Sequence, residues 1–410
     1  MPPRTRRQAK RAVPPGGGSG GGIESLPDGV LEHILGFLPS AEAVRTSLLA
    51  RRWRHLWKSA TGVRIGCHDG EQLLSVQELR NLVNHLMILR GGAPLDTCEL
   101  TFGDFGENFG SHDDVSHVNL WFRQAVMCKA RVLRLVSLSG CWLELDNLPL
   151  MSEHLTTLQL YGVRLHSKLL NFSRCLALEY LEIEYCNLSR VTEISSNSLK
   201  HLCINDSVLP HDPRTRIYAP NLVSLRLDVL RYRTPMLSSM PSLVEAFIKI
   251  DMECSDCCDA ENYETCDCES CGMADGSSNC VLLKGVSDAK TLTLISIPEM
   301  FVFKRDLRWC PMFRKLKTLL LNEYWCVPND FVALACILEH SPVLEKLTLQ
   351  LFSEGLERKV EMKLCVSSTK RSPAISEHLK KVELKCEVVD DRVLKVLKFL
   401  CTYNICFSFE

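Results

Sequence analysis

One arrangement of apolar positions recurs along most of the chain. Leu155-Leu158-Leu160, Leu178-Leu181-Ile183, Leu199-Leu202-Ile204, Leu222-Leu225-Leu227 and Leu243-Ala246-Ile248 all follow Leu-x-x-Leu-x-Leu or a conservative replacement of it. Their middle residues advance by 23, 21, 23 and 21 positions. Looser copies precede them at Leu95-Cys98-Leu100 and Ala130-Leu133-Leu135. Others follow at Ala289-Leu292-Leu294, Leu316-Leu319-Leu321, Leu344-Leu347-Leu349 and Leu379-Val382-Leu384. Residues two apart on an extended strand share a face, so the second and third apolar residues of each unit point into one core. The pattern predicts an α/β fold in which short parallel strands stack one per unit, joined by irregular or helical connections.

A period of about 20–29 residues with this pattern marks leucine-rich repeats, here over 61–310 with further units in 311–410. Residues flanking the inward pair point outward along the strand row. They include Thr157, Gln159 and Tyr161, then Tyr180, Glu182 and Glu184, then His201, Cys203 and Asn205, then Ser224, Arg226 and Asp228. Ten strands at about 4.8 Å spacing make an arc on the order of 50 Å, which suits a protein or peptide better than a small molecule. Tyr180, Glu182, Glu184, His201, Arg226 and Asp228 put an aromatic and charges of both signs on adjacent strands, and are the candidate substrate contacts.

The N-terminal end has a different periodicity. Residues 1–22 carry Arg4, Arg6, Arg7, Lys10 and Arg11 without an acidic residue, then a Gly/Ser run, and are expected to form a flexible basic tail. Such a tail reads either as a weak nuclear-import or anionic-surface patch or as a solvated terminus. Over 23–60, Ser25 can cap a helix carrying Val30, Leu31, Ile34, Leu35 and Leu38 on one face, ended by Pro39. Ser40 can cap a second helix with Val44 and Leu48 inside, and Trp53, Leu56 and Trp57 repeat the spacing in a third segment. Three short helices expose more apolar surface than they bury among themselves, so part of it needs a partner.

Leu26-Pro27-Asp28, the Val30-to-Pro39 core, Ala43-Val44-Arg45-Thr46-Ser47 and Ala50-Arg51-Arg52-Trp53-Arg54-His55-Leu56-Trp57 stand in the order of an F-box, which this stretch closely resembles. Gly29 departs from the pattern, where an acidic or polar residue is usual. The resemblance implies docking to a Skp-type adaptor and, through it, to the cullin and RING subunits of a ubiquitin ligase. The docking residues it implies are Leu26, Pro27, Val30, Leu31, Ile34, Leu35, Leu38, Pro39, Val44, Leu48, Trp53 and Trp57. At the other end, Asn329 or Asp330 can cap a helix with Phe331, Leu334, Ala335 and Leu338 on one face. Asp390 or Asp391 can start a last helix with Val393, Val396, Leu397 and Leu400 inside. Cys310 to Leu349 and His378 to Leu400 resemble the FBD region that ends many plant F-box/leucine-rich-repeat proteins. The last helix is expected to cover the open end of the array.

Between Ala246 and Leu292 the interval doubles to 46 residues. The insertion, 251–280, holds seven of the chain's 21 cysteines among acidic residues. Cys254, Cys257, Cys268 and Cys271 form two CxxC pairs that could give four thiolates to a structural zinc. The ten residues between them fall short of the usual spacing, so an acidic surface insertion is the competing reading. Redox sensing is disfavoured, because the surrounding negative charge opposes thiolate formation. Other chemistry is not evident. The Gly16–Gly22 run follows no strand, and His112-Asp113-Asp114 and His211-Asp212 read as loops without a nucleophile nearby.

A net charge of −1 argues against general nucleic-acid binding, and no apolar run reaches bilayer-spanning length. The first twenty residues lack a signal-peptide core, so the cysteines are expected as thiols in the cytoplasm or nucleus. The resemblance and the repeats together make this a non-catalytic, cofactor-free subunit that recruits a protein substrate to an SCF-type ligase. The alternatives are a ligand-dependent receptor on the repeat face and a metal-responsive interaction protein built on the cysteine cluster.

Overall fold

The structure, a computed structural model, describes residues 22–66, 76–103, 112–138, 141–250, 280–297, 302–326, 331–351, 360–365, 377–386 and 389–403. Among these residues one long row of strands dominates. It runs Gly62–Ile65, Thr97–Phe102, Val132–Ser137, Thr157–Tyr161, Tyr180–Glu184, His201–Val208, Ser224–Arg231, Glu245–Lys249, Thr291–Ile295, Thr318–Asn322, Lys346–Leu351 and Lys381–Cys386. Neighbours are parallel throughout and follow chain order. This is the α/β repeat architecture that the periodicity implies, with a helical N-terminal region ahead of it.

The register explains why the leucines recur. Leu133, Leu158, Leu181, Leu202, Leu225, Ala246, Leu292, Leu319, Leu347 and Val382 lie directly opposite one another along the row. All are buried, as are their partners two residues on. Each unit covers the leucines of the next, worth about 1.5–3 kcal/mol per fully buried side chain, so no unit is stable alone. The strand Gly62–Ile65, which no leucine triplet announced, opens the row directly after the F-box-like stretch.

On the other side the connections differ along the chain. The helices Val76–Arg90 and His112–Met127 cover the first units, where the buried Trp121 indole donates to Asn84 Oδ1 at 2.7 Å. His112-Asp113-Asp114 therefore begins a helix and is not a loop; Asp114 pairs with Arg80 at 3.1 Å. The middle units use short strands instead. Leu143–Glu144, Val163–His166 and Asn187–Arg190 form a second ladder, and Glu193–Ser195, Arg216–Tyr218 and Met236–Leu237 form a separate sheet. Towards the end, helices return as Val332–Glu339 and Asp391–Thr402. Asp390 caps the latter through the N–H groups of Arg392 and Val393, as the sequence allowed, whereas Asn329 and Asp330 lie outside the described residues. The last helix buries Val393, Val396, Leu397 and Leu400 in the core, and its Phe399 stacks on Phe331 at 4.6 Å. The row's edge is covered by Val360–Cys365, which pairs antiparallel with Lys381–Cys386 and satisfies its backbone groups.

The N-terminal helices are fixed to the first strand by backbone contacts. Gly36 lies so close to Gly62 that a Cβ there would meet the Gly62 nitrogen at 2.6 Å. Thr61 N–H donates to Glu32 O at 3.3 Å, and Arg64 Nε to Gly36 O at 3.2 Å. From the far side the buried Arg90 donates to Trp57 O at 3.2 Å and Ala60 O at 2.8 Å.

The insertion leaves the row undisturbed, because Glu245–Lys249 and Thr291–Ile295 pair directly. Its last residue belongs to the core. Cys280 is buried, as are Val281, Leu282 and Leu283, whose three N–H groups donate to the buried Asp306 carboxylate at 2.7, 2.7 and 2.8 Å. Burial pushes the Asp306 carboxyl up, while these three donors pull it down. Replacing residues 254–278 by a short Gly/Ser linker should therefore leave the thermal midpoint within a few degrees, since loop length costs about 0.6 kcal/mol per doubling. Extending the deletion through Leu283 should lower the midpoint by about 10 °C or more, measured by differential scanning calorimetry.

Candidate protein-docking surfaces

The N-terminal region comprises the helices Asp28–Leu35 and Ser40–Arg45, followed by three short 3-10 turns, Thr46–Leu48, Arg51–Arg54 and Leu56–Ser59. The expected third helix is thus a pair of tight turns, and neither expected serine caps a helix. Ser25 Oγ donates to Gly22 O at 2.8 Å, and Ser40 Oγ accepts from Arg64 N at 3.0 Å. The helices start at Pro27 and Pro39, whose fixed φ stands at the cap instead. Asp28 in the first turn pairs with Arg52 at 2.6 Å and ties the first helix to the last turns.

The twelve candidate docking residues separate into two groups. Leu31, Leu35, Trp53 and Trp57 are buried in the chain's own core, so they shape the surface and do not form it. Leu26, Ile34, Leu38 and Val44 are half-buried against that core, as is Pro39, while Pro27, Val30 and Leu48 are exposed. Leu48 is 86% exposed and does not face inward from the second helix as its spacing suggested. Ile23, Phe37 and Leu49, absent from the sequence-based set, extend the patch at 51%, 62% and 73% exposure. So many exposed large apolar residues on one short helical unit are a protein-binding feature.

The strand row brings the second candidate set together. Tyr180, His201 and Ser224 stand abreast on adjacent strands, as do Glu182, Cys203 and Arg226, and then Glu184, Asn205 and Asp228. Tyr180, Glu182, Glu184, His201 and Arg226 line one open cleft of about 340 Å³. Its polar groups are tied in pairs. Gln159 Nε2 donates to Glu182 at 2.6 Å, Tyr180 Oη to Glu182 at 3.4 Å, and Asn205 Nδ2 to Glu184 at 3.2 Å. Asp228 does not line the cleft. It is buried, pairs with Arg226 at 2.5 Å, and holds that guanidinium 3.9 Å from the centre of the Phe247 ring. Burial, then the Glu182 charge, push the Cys203 thiol up to about 11 and the Tyr180 phenol upward. Neither is disposed to act as a nucleophile.

An aromatic rim beside this cleft was not legible in the sequence. Tyr161 and Tyr185 pack at 5.1 Å, and Trp142 Nε1 donates to Tyr185 O at 2.9 Å. Trp142 and Tyr232 also line a second cleft of about 440 Å³ with Arg231. Tyr185 and Tyr232 have φ of +51° and +68°, a left-handed backbone that non-glycine residues rarely adopt and that concentrates at binding sites. The candidate zinc ligands Cys254, Cys257, Cys268 and Cys271 lie outside the described residues.

Residues 23–61 match the F-box domain family. The rice MEIOTIC F-BOX protein MOF is 30% identical over 399 residues, covering 88% of this chain and 80% of that protein. An Arabidopsis thaliana F-box/LRR-repeat protein is 28% identical, covering 82% and 94%. An F-box/FBD/LRR-repeat protein of the same plant is 26% identical, covering 80% and 76%. The chain belongs to the F-box family, as a member whose F-box precedes leucine-rich repeats. Proteins of this kind are generally non-catalytic adaptors that recognise a substrate.

The two groups of N-terminal residues should respond differently to truncation. Trp57→Ala is expected to cost about 3–5 kcal/mol of stability, since it opens the core. Phe37→Ala and Leu48→Ala, exposed as they are, should change stability by less than about 0.5 kcal/mol. Urea unfolding of the three variants checks this, and a large loss in Phe37→Ala would show that residue to be structural.

Proposed function

We propose that this chain is the substrate-recognition subunit of an SCF-type cullin–RING ubiquitin ligase. Its F-box docks a Skp-type adaptor, and its strand row recruits a protein substrate, in the cytoplasm or nucleus. The observation that carries the reading is the set of exposed apolar residues Ile23, Val30, Phe37, Leu48 and Leu49 on the F-box. It sits over a core of Leu31, Leu35, Trp53 and Trp57 and is fixed to the first strand by the Gly36–Gly62 contact. In this reading catalysis is supplied by the other subunits, and this chain contributes proximity. A rigid joint between the docking patch and the strand row serves that role, because a loose one would dilute the effective concentration of substrate.

The open cleft favours a polypeptide substrate over an enclosed small ligand. It is lined by carboxylates, an imidazole, a phenol and a guanidinium, whereas small-molecule pockets are mostly apolar. The buried cysteines Cys98, Cys128, Cys175 and Cys186 are unbridged thiols, in keeping with a reducing compartment.

Two measurements test the reading. A Leu26→Ala/Pro27→Ala variant should lose about thirtyfold in affinity for a Skp-type adaptor while keeping its thermal midpoint; undiminished co-purification overturns the docking half. A Tyr180→Ala/Arg226→Ala variant should keep the adaptor but lose the partners recovered by proximity labelling. If those partners are unchanged, recognition lies elsewhere and the substrate half of the reading is overturned.

A further inference from the structure

A second set of cysteines comes together only in the folded chain. Cys336 and His340 are four residues apart at the end of the helix Val332–Glu339, a spacing that puts both on one face. Cys310 follows the helix Val302–Leu307, and Cys336 Sγ approaches Leu307 O of that helix at 3.8 Å. The two thiols and one imidazole nitrogen of His340 all lie within 4.8 Å of one another, each residue half-buried. We propose that Cys310, Cys336 and His340 form a binding site for a soft divalent cation, zinc being the ion this donor set suits.

The chemistry of the three donors supports it. Two thiolates and an imidazole on a tetrahedral zinc stand about 3.3–3.8 Å apart, from metal–ligand distances near 2.0–2.3 Å. The donors therefore need to close by about 1 Å, which side-chain rotation on a helix end supplies. His340 Nδ1 lies 2.7 Å from Cys336 O. Nδ1 also stands 3.9 Å from Cys336 Sγ, so binding through this nitrogen exchanges its proton for the metal and gives up the contact with Cys336 O.

Among the described residues no fourth donor completes a closed site. The Asp306 carboxylate already accepts from three backbone N–H groups, and it also hydrogen-bonds the Cys280 thiol. The fourth position is left to water or an outside donor, which matches the partial exposure of all three residues. Metal binding releases the thiol protons and joins the two helices that carry the donors, which stabilises this part of the array.

The full chain, purified in a mild chelator, is titrated with Zn²⁺ and with Co²⁺. We expect one equivalent of Co²⁺ to produce thiolate-to-cobalt charge-transfer absorption in the wild type. The same is expected in a Cys254→Ser/Cys257→Ser/Cys268→Ser/Cys271→Ser variant, which isolates this site from the insertion. Cys310→Ser and Cys336→Ser should each weaken Co²⁺ binding by about tenfold or more. Iodoacetamide labelling of the wild type, read by mass spectrometry, gives a measure that needs no variant. Zn²⁺ should slow modification of Cys310 and Cys336 severalfold. Equal labelling rates with and without Zn²⁺, or loss of the cobalt signal in the fourfold insertion variant alone, would overturn the proposal.

Discussion

Everything in this molecule depends on leucines that a single repeat cannot bury. Leu181 is covered because Leu158 lies on one side and Leu202 on the other, and the same holds for each neighbour along the row. The hydrophobic effect thus fixes register: a slip of one residue would turn every buried leucine to solvent and bury Glu182 or Arg226. Because the inward positions are set so strictly, the outward ones are free to carry chemistry. The cleft residues stand in rows for that reason and not because they attract one another.

The second constraint is the joint at the N-terminal end. Backbone is packed on backbone at Gly36 and Gly62, and Arg90 closes the other side with two buried hydrogen bonds. Losing one of those partners would leave a buried guanidinium donor unpaired, a cost of the order of 1–3 kcal/mol. The direction in which the apolar F-box patch faces is therefore set by the first strand of the array. Two surfaces with different chemistry, one apolar and one rich in charge, are thus joined through packed backbone.

How much of this the sequence showed follows from the range of each signal. The strand row was legible because period-2 alternation inside each strand and the spacing of 21 to 23 residues reinforce one another. The pairs Leu143–Glu144 and Met236–Leu237 are too short for any alternation to register, so the second ladder and the small sheet were not. In the F-box the helical spacing found the apolar residues but could not divide Leu31 and Leu35, which face inward, from Val30 and Leu48, which do not. Asp228 looked like a contact by its register, and only packing shows it beneath Arg226. The cysteines behave likewise: Cys254 to Cys271 stand out by density, whereas Cys310 and Cys336 are 26 residues apart and meet only through the packing of two helices.

The direct pairing of Glu245–Lys249 with Thr291–Ile295 across a doubled interval has a consequence for how the chain folds. Every other contact in the central row closes a loop of about one repeat, so contact order is low and structure can begin at any unit and spread to its neighbours. At this one junction the loop to be closed is twice as long, an added entropic cost of about 0.6 kcal/mol. The units before and after it are thus two stretches of quick local assembly separated by the slowest step in the row. Cys280 to Leu283, anchored on Asp306, sit where that step is completed.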